Sequence, residues 1–386
     1  MKKALYFLLP LCIQNSKAFS QPVPRENIAN ETIGWIKVYK FKGATKPLTV
    51  DDKTYSIRQL SICDSFANWI QSSYLPKGGL GDVKKFVSEK LGPYNLYTAG
   101  KPQSYGAYAK TYFELKYNSS HKLEPFTNSH VWWAVAANGI PNAWPLQDIS
   151  TPTQFYWTMP LAETELDDPV IRQQLDISQE PTIKPFISFW VKNMGYGRGK
   201  EQVLLCPGNR SPFVILSKGE FLQAMETAIP LFYAKEKKKI FEAEQGDAKR
   251  MVIPMKQLDE KIARYRSGLE KNREKYRDRL GEQALAGFQP ALIDLDNDRD
   301  VFTGLYLTDP PSSQKRYPVY KVDPVLMPLC KTDKPQWILI SWDYYPGDPT
   351  EQQQHEAIIR HFNFSYVYDF FFDPGKVKGK GYRAIE

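Results

Sequence analysis

Hydrophobic residues along the chain recur with two different periods, and each period predicts a different kind of element. Within residues 54–92, apolar side chains step by three and four, which is typical of amphipathic helices, here interrupted by a glycine-rich break. From Tyr105 onward the period falls to two, and the alternation in Thr111–Tyr117 predicts a strand. A turn at 118–121 and the apolar run Val131–Ala136 complete a predicted hairpin.

Prolines and glycines separate the strand candidates that follow, which favours a mainly antiparallel sheet. These candidates are residues 154–159, 183–191, 202–206 and 213–216. A buried strand at 337–342 and a helix opened by Asp348 come near the end of the chain. The pattern predicts an α+β fold, with an antiparallel sheet region, flanking helices, a long helical hairpin and a small C-terminal α/β portion.

The helical hairpin is predicted over residues 218–284. Ser217 and Glu220 have the spacing of a capping box, so a helix should begin directly after Ser217. Gly246-Asp247 suggests the turn, and Pro254 suits the first turn of a second helix. That helix carries a heptad-like apolar seam. The seam consists of Met255, Leu258, Ile262, Tyr265 and Leu269.

Two further segments differ in composition from the rest. Residues 162–182 are acidic and rich in proline, and we interpret them as a linker. They would divide the chain into an N-terminal helical and β-meander domain (21–165) and a C-terminal domain (183–386). The polar tail, with four basic residues between 376 and 383, is expected to fray.

The first twenty residues have the order of a secretory signal peptide. Lys2 and Lys3 give a positive start, and Ala4–Ile13 is apolar but too short to span a bilayer. Ala18-Phe19-Ser20 then offers small residues for cleavage before Gln21. We therefore predict export, with a periplasmic or extracellular destination.

A lipoprotein is the less favoured variant of this prediction. Cys12 could carry the lipid, but acylation requires a small residue before the cysteine and Leu11 is bulky. Loss of residues 1–20 removes three lysines and no acid, so the formal charge would fall from +8 to +5. We expect no transmembrane segment after cleavage and no nucleic-acid partner, because this charge alone does not indicate one.

The cysteines do not indicate a disulfide scaffold. Cys63, Cys206 and Cys330 follow the predicted leader, and their number is odd. We expect small buried hydrophobic residues rather than any particular pairing.

Lys77-Gly78-Gly79-Leu80-Gly81-Asp82-Val83 resembles the nucleotide-sugar motif of bacterial glycogen and starch synthases. The resemblance covers seven residues and lacks the spacer after the lysine. No alternating βα units surround it, as a phosphate-binding α/β domain requires. We therefore interpret the stretch as a helix–turn–helix with Asp82 as N-cap.

Four aspartates are the candidate metal ligands. Asp294, Asp296, Asp298 and Asp300 alternate, as in calcium loops. Arg299 stands where such a loop needs glycine, and Leu305 where it needs glutamate, so an exposed acidic turn is the alternative. We predict no other cofactor, since His355-Glu356 lacks the second histidine of a zinc protease motif.

An aromatic cluster provides the candidate ligand contacts. Trp132, Trp144, Tyr156 and Trp157 lie within a short span near several asparagines, and such side chains can stack on sugar rings or peptide side chains. Trp144 lies between two prolines in a predicted loop and should be the most exposed. Burial of these aromatic residues in a thick sheet is the alternative.

The segments Pro212–Ala224 and Gln336–Tyr344 resemble pieces of uncharacterised exported bacterial proteins. This resemblance implies no activity and no functional residue. No nucleophile, base and orienting group share a recognisable motif, so the leading hypothesis is a non-catalytic binding or interaction module with a protein or glycan partner. A secreted hydrolase of polysaccharide or peptidoglycan, and a structural protein assembling through the hairpin, are the alternatives. Ligand, oligomeric state and final compartment stay open.

Overall fold

A computed structural model describes residues 21–40, 42–50, 53–87, 100–141, 144–146, 149–151, 154–159, 176–192, 199–277, 290–293 and 317–386. Its helices are α1 (Arg25–Ile28), α2 (Ile57–Ser73), α3 (Lys218–Ala243), α4 (Ala248–Arg277), α5 (Pro349–His361) and α6 (Phe364–Phe372). Its strands are β1 (Leu48–Val50), β2 (Lys53–Tyr55), β3 (Leu80–Val87), β4 (Tyr105–Tyr112), β5 (Leu115–Tyr117), β6 (Leu123–Pro125), β7 (His130–Ala137), β8 (Trp144–Pro145), β9 (Tyr156–Thr158), β10 (Ile187–Lys192), β11 (Gly199–Leu205), β12 (Phe213–Ile215), β13 (Leu292–Ile293), β14 (Tyr317–Val322) and β15 (Ile338–Tyr344). The predicted leader, residues 1–20, lies outside the described residues.

The largest sheet has six strands in the order β10–β11–β15–β7–β4–β3, and every neighbouring pair is antiparallel. A second sheet has the order β12–β14–β9–β8, with β13 also paired to β14. The predicted α+β class and its antiparallel pairing are confirmed.

The six-stranded sheet joins distant parts of the chain. β7 pairs with β15, and β15 pairs with β11, so strands from both sides of the predicted linker at 162–182 lie side by side. The division into residues 21–165 and 183–386 therefore does not separate two sheets. Local composition cannot reveal that these strands share a sheet, because the composition of a strand does not show which distant strand it pairs with.

The described elements form four layers. Helices α2, α5 and α6 cover one face of the six-stranded sheet, and the second sheet packs on part of its other face. The α3–α4 hairpin covers the far side of the second sheet. The alternation in β14 shows why: Val319 faces the hairpin, whereas Tyr320 and Val322 face the first sheet.

The prediction of a helix after the glycine-rich break is wrong for the residues that are described. Residues 80–87 form β3, the edge strand paired with β4. Val83, Phe86 and Val87 satisfy a helical spacing, but the sheet places Val83 and Val87 on the helix-covered face. Asp82 is not a helix N-cap; it lies in β3, 2.9 Å from the ammonium group of Lys84.

The predicted capping box of α3 is confirmed. The Glu220 amide donates to Ser217 Oγ at 3.2 Å, and the Ser217 amide donates to the Glu220 carboxylate at 2.9 Å. Gly246, with a φ of +74°, forms the predicted turn. The second helix begins at Ala248 rather than near Pro254, because Asp247 accepts hydrogen bonds from the first amides of α4.

The heptad seam of α4 is buried within the chain. Leu258, Ile262, Tyr265 and Leu269 pack with α3 and the second sheet in one hydrophobic cluster. Two chains could assemble through this seam only if α4 first separated from α3. The seam is therefore not exposed for the assembly that the structural-protein alternative requires.

The C-terminal tail is packed rather than frayed. The Tyr382 ring stacks on Trp69 with centroids 5.3 Å apart, and its hydroxyl contacts Ser73 Oγ at 2.5 Å and accepts from the Asn363 amide at 3.0 Å. The Ile385 amide donates to the carbonyl of His361 at 2.9 Å. The partly buried Tyr382 ring and these hydrogen bonds hold the tail in place, although its polar composition predicts fraying.

Cys63, Cys206 and Cys330 are buried free thiols, as expected. Burial raises the pKa of each thiol, that of Cys63 and Cys330 to about 12 and that of Cys206 to about 11. They therefore act as small apolar core residues.

Candidate binding groove

Trp132, a predicted ligand contact, lies half-buried on β7. The Lys200 ammonium is 4.2 Å from the centroid of its ring and 2.8 Å from Asp343 Oδ1. Asp343 Oδ2 accepts the Trp132 amide at 3.0 Å. One face of the indole ring is thus occupied by a cation of the same chain, which limits stacking of a ligand there.

The other predicted aromatic contacts belong to the second sheet. Trp157 is fully buried between the sheets and has no exposed surface for a ligand. Tyr156 is half-buried and faces the helical hairpin. Trp144 lies in β8, paired with Thr158 of β9, rather than in a loop, and its side chain is outside the description. The structure therefore does not bring these residues together with Trp132.

The candidate calcium ligands Asp294, Asp296, Asp298 and Asp300 all lie outside the described residues. Within the part of the chain that is described, no group of three histidine, cysteine or acidic residues could hold a metal ion. His355 is buried and stacks on Tyr344 with ring centroids 3.8 Å apart.

A groove of about 600 Å³ opens between α2, residues 333–335 and residues 370–380. The α2 side presents one face of the helix, because its lining residues are spaced by three and four. These residues are Arg58, Ser61, Ile62 and Ser65. Phe370 and Phe371 of α6, together with Pro335, Pro374 and Val377, supply apolar surface. Phe370 keeps 39% of its surface exposed, so the groove has an accessible apolar floor.

Positive charge surrounds this floor. Among the described lining residues, the cations are Arg58, Lys334, Lys378 and Lys380, and the one carboxylate is that of Asp333. None of the four cations forms an ion pair with a described acidic group, so their charge is available to a ligand. Asp333 accepts a short hydrogen bond from the hydroxyl of Ser56, the N-cap of α2. This carboxylate is therefore already held at the positive end of the helix dipole.

The walls of the groove are fixed by contacts behind it. Gln59 donates to the Thr332 carbonyl at 2.8 Å, which holds the 333–335 loop against α2. The Tyr366 hydroxyl donates to the Lys380 carbonyl at 3.0 Å, and Lys376 pairs with Asp373 at 3.0 Å. The groove is thus a preformed feature of the fold.

A second cavity of about 340 Å³ lies between the C-terminal end of α2 and α5. Its charged lining is mixed, with Lys77 and Arg360 beside Glu356 and His361. This cavity does not favour one sign of ligand charge as clearly as the groove does.

A carboxyl group with a strongly raised pKa lies outside both cavities. Glu201 on β11 is fully buried between its neighbours Trp190 and Trp342, and neither carboxyl oxygen has a hydrogen-bond partner among the described residues. Burial, and secondarily the negative charge of Asp176, raise the pKa of Glu201 well above its usual value. His355 accepts the Trp342 indole N–H at 3.1 Å, and burial lowers its pKa to about 4.

Comparison of the chain with protein family models, curated proteins and solved structures finds no match. None of the described helices is both long and apolar enough to cross a bilayer. Function must therefore be argued from the groove and the surface alone.

Sequence reasoning misses the groove, because its walls come from three distant segments. The usable signal was small: Tyr382 and Ile385 interrupt an otherwise polar tail and indicate that it packs. A packed tail brings Lys378 and Lys380 to the edge of the groove.

Proposed function

We propose that the protein is an exported, non-catalytic binding module that holds an acidic segment of a partner protein in this groove. The observation that supports this most directly is the combination of an apolar floor with four cations that pair with no described acidic group, and with one carboxylate among the described lining residues. The volume suits a few residues of an extended peptide. An acidic peptide with one apolar side chain could place that side chain on the apolar floor and its carboxylates beside the cations.

A peptide fits the lining better than a glycan does. Sugar binding typically combines aromatic stacking with planar polar side chains, such as amides. The described part of the lining offers the hydroxyls of Ser61 and Ser65 but neither asparagine nor glutamine, and its aromatic residues are phenylalanines. Phenylalanine and isoleucine surfaces instead favour an aliphatic or aromatic side chain of a partner.

The hydrolase alternative draws no support from the groove. Glycoside hydrolysis requires two carboxyl groups on either side of the bond that is cleaved. Among the described residues that line the groove, Asp333 is the one carboxylate, and it is bound by Ser56.

Fluorescence polarisation can test the proposal with three labelled peptides: an acidic peptide with one phenylalanine, the same peptide with alanine in its place, and a basic counterpart. We expect the first to bind best, and its affinity to fall as salt is added. The double variant Lys378→Glu/Lys380→Glu should weaken binding at least about tenfold, because it reverses two of four cations.

The matched control is Lys237→Glu/Lys249→Glu, which makes the same charge change at exposed positions on α3 and α4. It should bind the acidic peptide like the unchanged protein. Equal binding of acidic and basic peptides, or full binding by the groove variant, would reject the proposal.

A further inference from the structure

Three apolar side chains near the end of the α3–α4 hairpin are exposed to solvent. Phe241 is 56% exposed, Val252 64% and Ile253 69%. Phe232 is the last buried residue of α3 and Leu258 the first of α4. At 1.5 Å per residue, Phe241 lies about 14 Å beyond Phe232 along the helix, and Ile253 about 8 Å beyond Leu258. Ile240 and Met255 are partly buried against the same hydrophobic cluster, so the three exposed side chains lie at its outer end.

The turn presents these side chains in a defined way. Gln245 and Gly246 have positive φ, and the Phe241 ring lies against Gly246, where an added Cβ would be 3.1 Å away. Asp247 accepts from the Lys249 amide at 2.9 Å and so caps the start of α4.

The same end carries excess positive charge. Residues 235–256 contain seven lysines and arginines and four acidic residues. Three of the four acids are paired inside the hairpin: Glu236 with Lys239 at 2.6 Å, Glu242 with Lys238 at 3.8 Å and Asp247 with Arg250 at 3.6 Å. These pairs are exposed, so they add little stability and leave a net charge of +3 on this surface.

We infer that the end of the hairpin docks the protein onto an anionic lipid surface. Exposed apolar side chains at the end of a hairpin can enter a fluid bilayer without a preformed site, whereas a protein partner would have to offer a matching pocket. The headgroup region of a bilayer accepts apolar side chains, and acidic headgroups attract the surrounding lysines. Exposed apolar side chains and net positive charge are the two features that such peripheral binding uses.

Co-sedimentation with vesicles tests this inference. The full chain should bind vesicles of phosphatidylglycerol and phosphatidylethanolamine and should bind phosphatidylcholine vesicles much less. Replacement of Phe241, Val252 and Ile253 by serine should reduce binding at least about tenfold, since most of the inserting apolar surface is lost. Lys237→Glu/Lys249→Glu should give a comparable loss through charge.

Two control variants separate this effect from general stickiness and from the groove. Ile36→Ser/Val38→Ser/Val325→Ser removes side chains of similar exposure outside the hairpin and should leave vesicle binding unchanged. The groove variant Lys378→Glu/Lys380→Glu should also bind vesicles normally, so failure of the groove proposal would not affect this one.

Equal binding to both kinds of vesicle, or full binding by the hairpin variants, would overturn the inference. Analytical ultracentrifugation adds a further outcome. A dimer that forms in the absence of lipid and is lost in the serine variant would show that the apolar end binds a second copy of the chain instead. Circular dichroism should show that every variant is folded, because all the substituted side chains are exposed.

Discussion

Replacing Glu201 with glutamine removes an ionisable group from the core while keeping its shape. The side chain lies on the helix-covered face of the six-stranded sheet, fully buried, with a tryptophan on each neighbouring strand. Since no described residue forms a hydrogen bond with either oxygen, the charged form is strongly disfavoured in the folded protein. The unfolded chain ionises the same group freely.

The sign of the pH effect follows from this difference. The folded-state pKa of Glu201 is raised, so its contribution to stability is complete below the usual carboxyl range, near 4.5, and is lost as pH rises toward the folded pKa. The loss is about 1.4 kcal/mol per pH unit within that window. Glu201→Gln should not show this loss.

His355 acts in the opposite direction. Burial lowers its pKa to about 4, so the stability that depends on its neutral form is lost as pH falls from about 6.5 toward 4. In the unchanged protein, the dependence of the free energy of unfolding on pH therefore contains contributions from both Glu201 and His355. The difference between it and Glu201→Gln isolates Glu201, because His355 is the same in both.

Urea unfolding followed by tryptophan fluorescence, in matched buffers from pH 4.5 to 7.5, measures this difference. We expect it to be small at pH 4.5 and to grow steadily in favour of the variant. Glu356→Gln, at a half-buried position on α5, is the control and should stay within about 0.5 kcal/mol at each pH. A difference for Glu201→Gln that does not change with pH would refute the reasoning.

Three other outcomes can be checked directly. Tyr382→Phe should lower the free energy of unfolding by about 1–2 kcal/mol, because the Asn363 amide loses its acceptor; equal urea midpoints would contradict this. Gly106→Ala should destabilise the protein by more than about 2 kcal/mol, since its Cβ would lie 2.2 Å from the Val135 carbonyl oxygen; an unchanged melting temperature would contradict the close approach. The three described cysteines should resist a thiol reagent at pH 8 in the native protein and react after denaturation, and fast native labelling would show that they are accessible.

The sequence was informative where local rules decide the structure. Ser217 and Glu220 identified the start of α3 because a capping box depends only on neighbouring residues. The aromatic and β-branched run at 337–342 identified β15 in the same way. Residues 80–87 are predicted as helix because Val83, Phe86 and Val87 follow a helical spacing. Val83 and Val87 also fit one face of a strand, and only the pairing with β4 decides between the two.

The groove was not predictable, for a different reason. Arg58, Asp333 and Lys378 become neighbours only through packing of α2 against the six-stranded sheet and through anchoring of the tail. Glu201 had a visible signal, since it precedes Val203 and Leu205 on the same face of an apolar strand. A carboxyl group on a core-facing strand position should be treated as buried until the fold shows otherwise.

One alternative explanation applies to both the groove and the hairpin end. A chain with a net charge of +8, or +5 without residues 1–20, attracts acidic ligands over its whole surface. The fold allows this explanation to be tested, because the two surfaces belong to separate hydrophobic clusters, one under α2 and α6 and one between α3 and α4. Substitutions that share no contacts should act independently. Each lysine pair should therefore affect only its own ligand, peptide or vesicle. If both pairs weakened both kinds of binding equally, overall charge would explain the data, and neither surface would be a specific site.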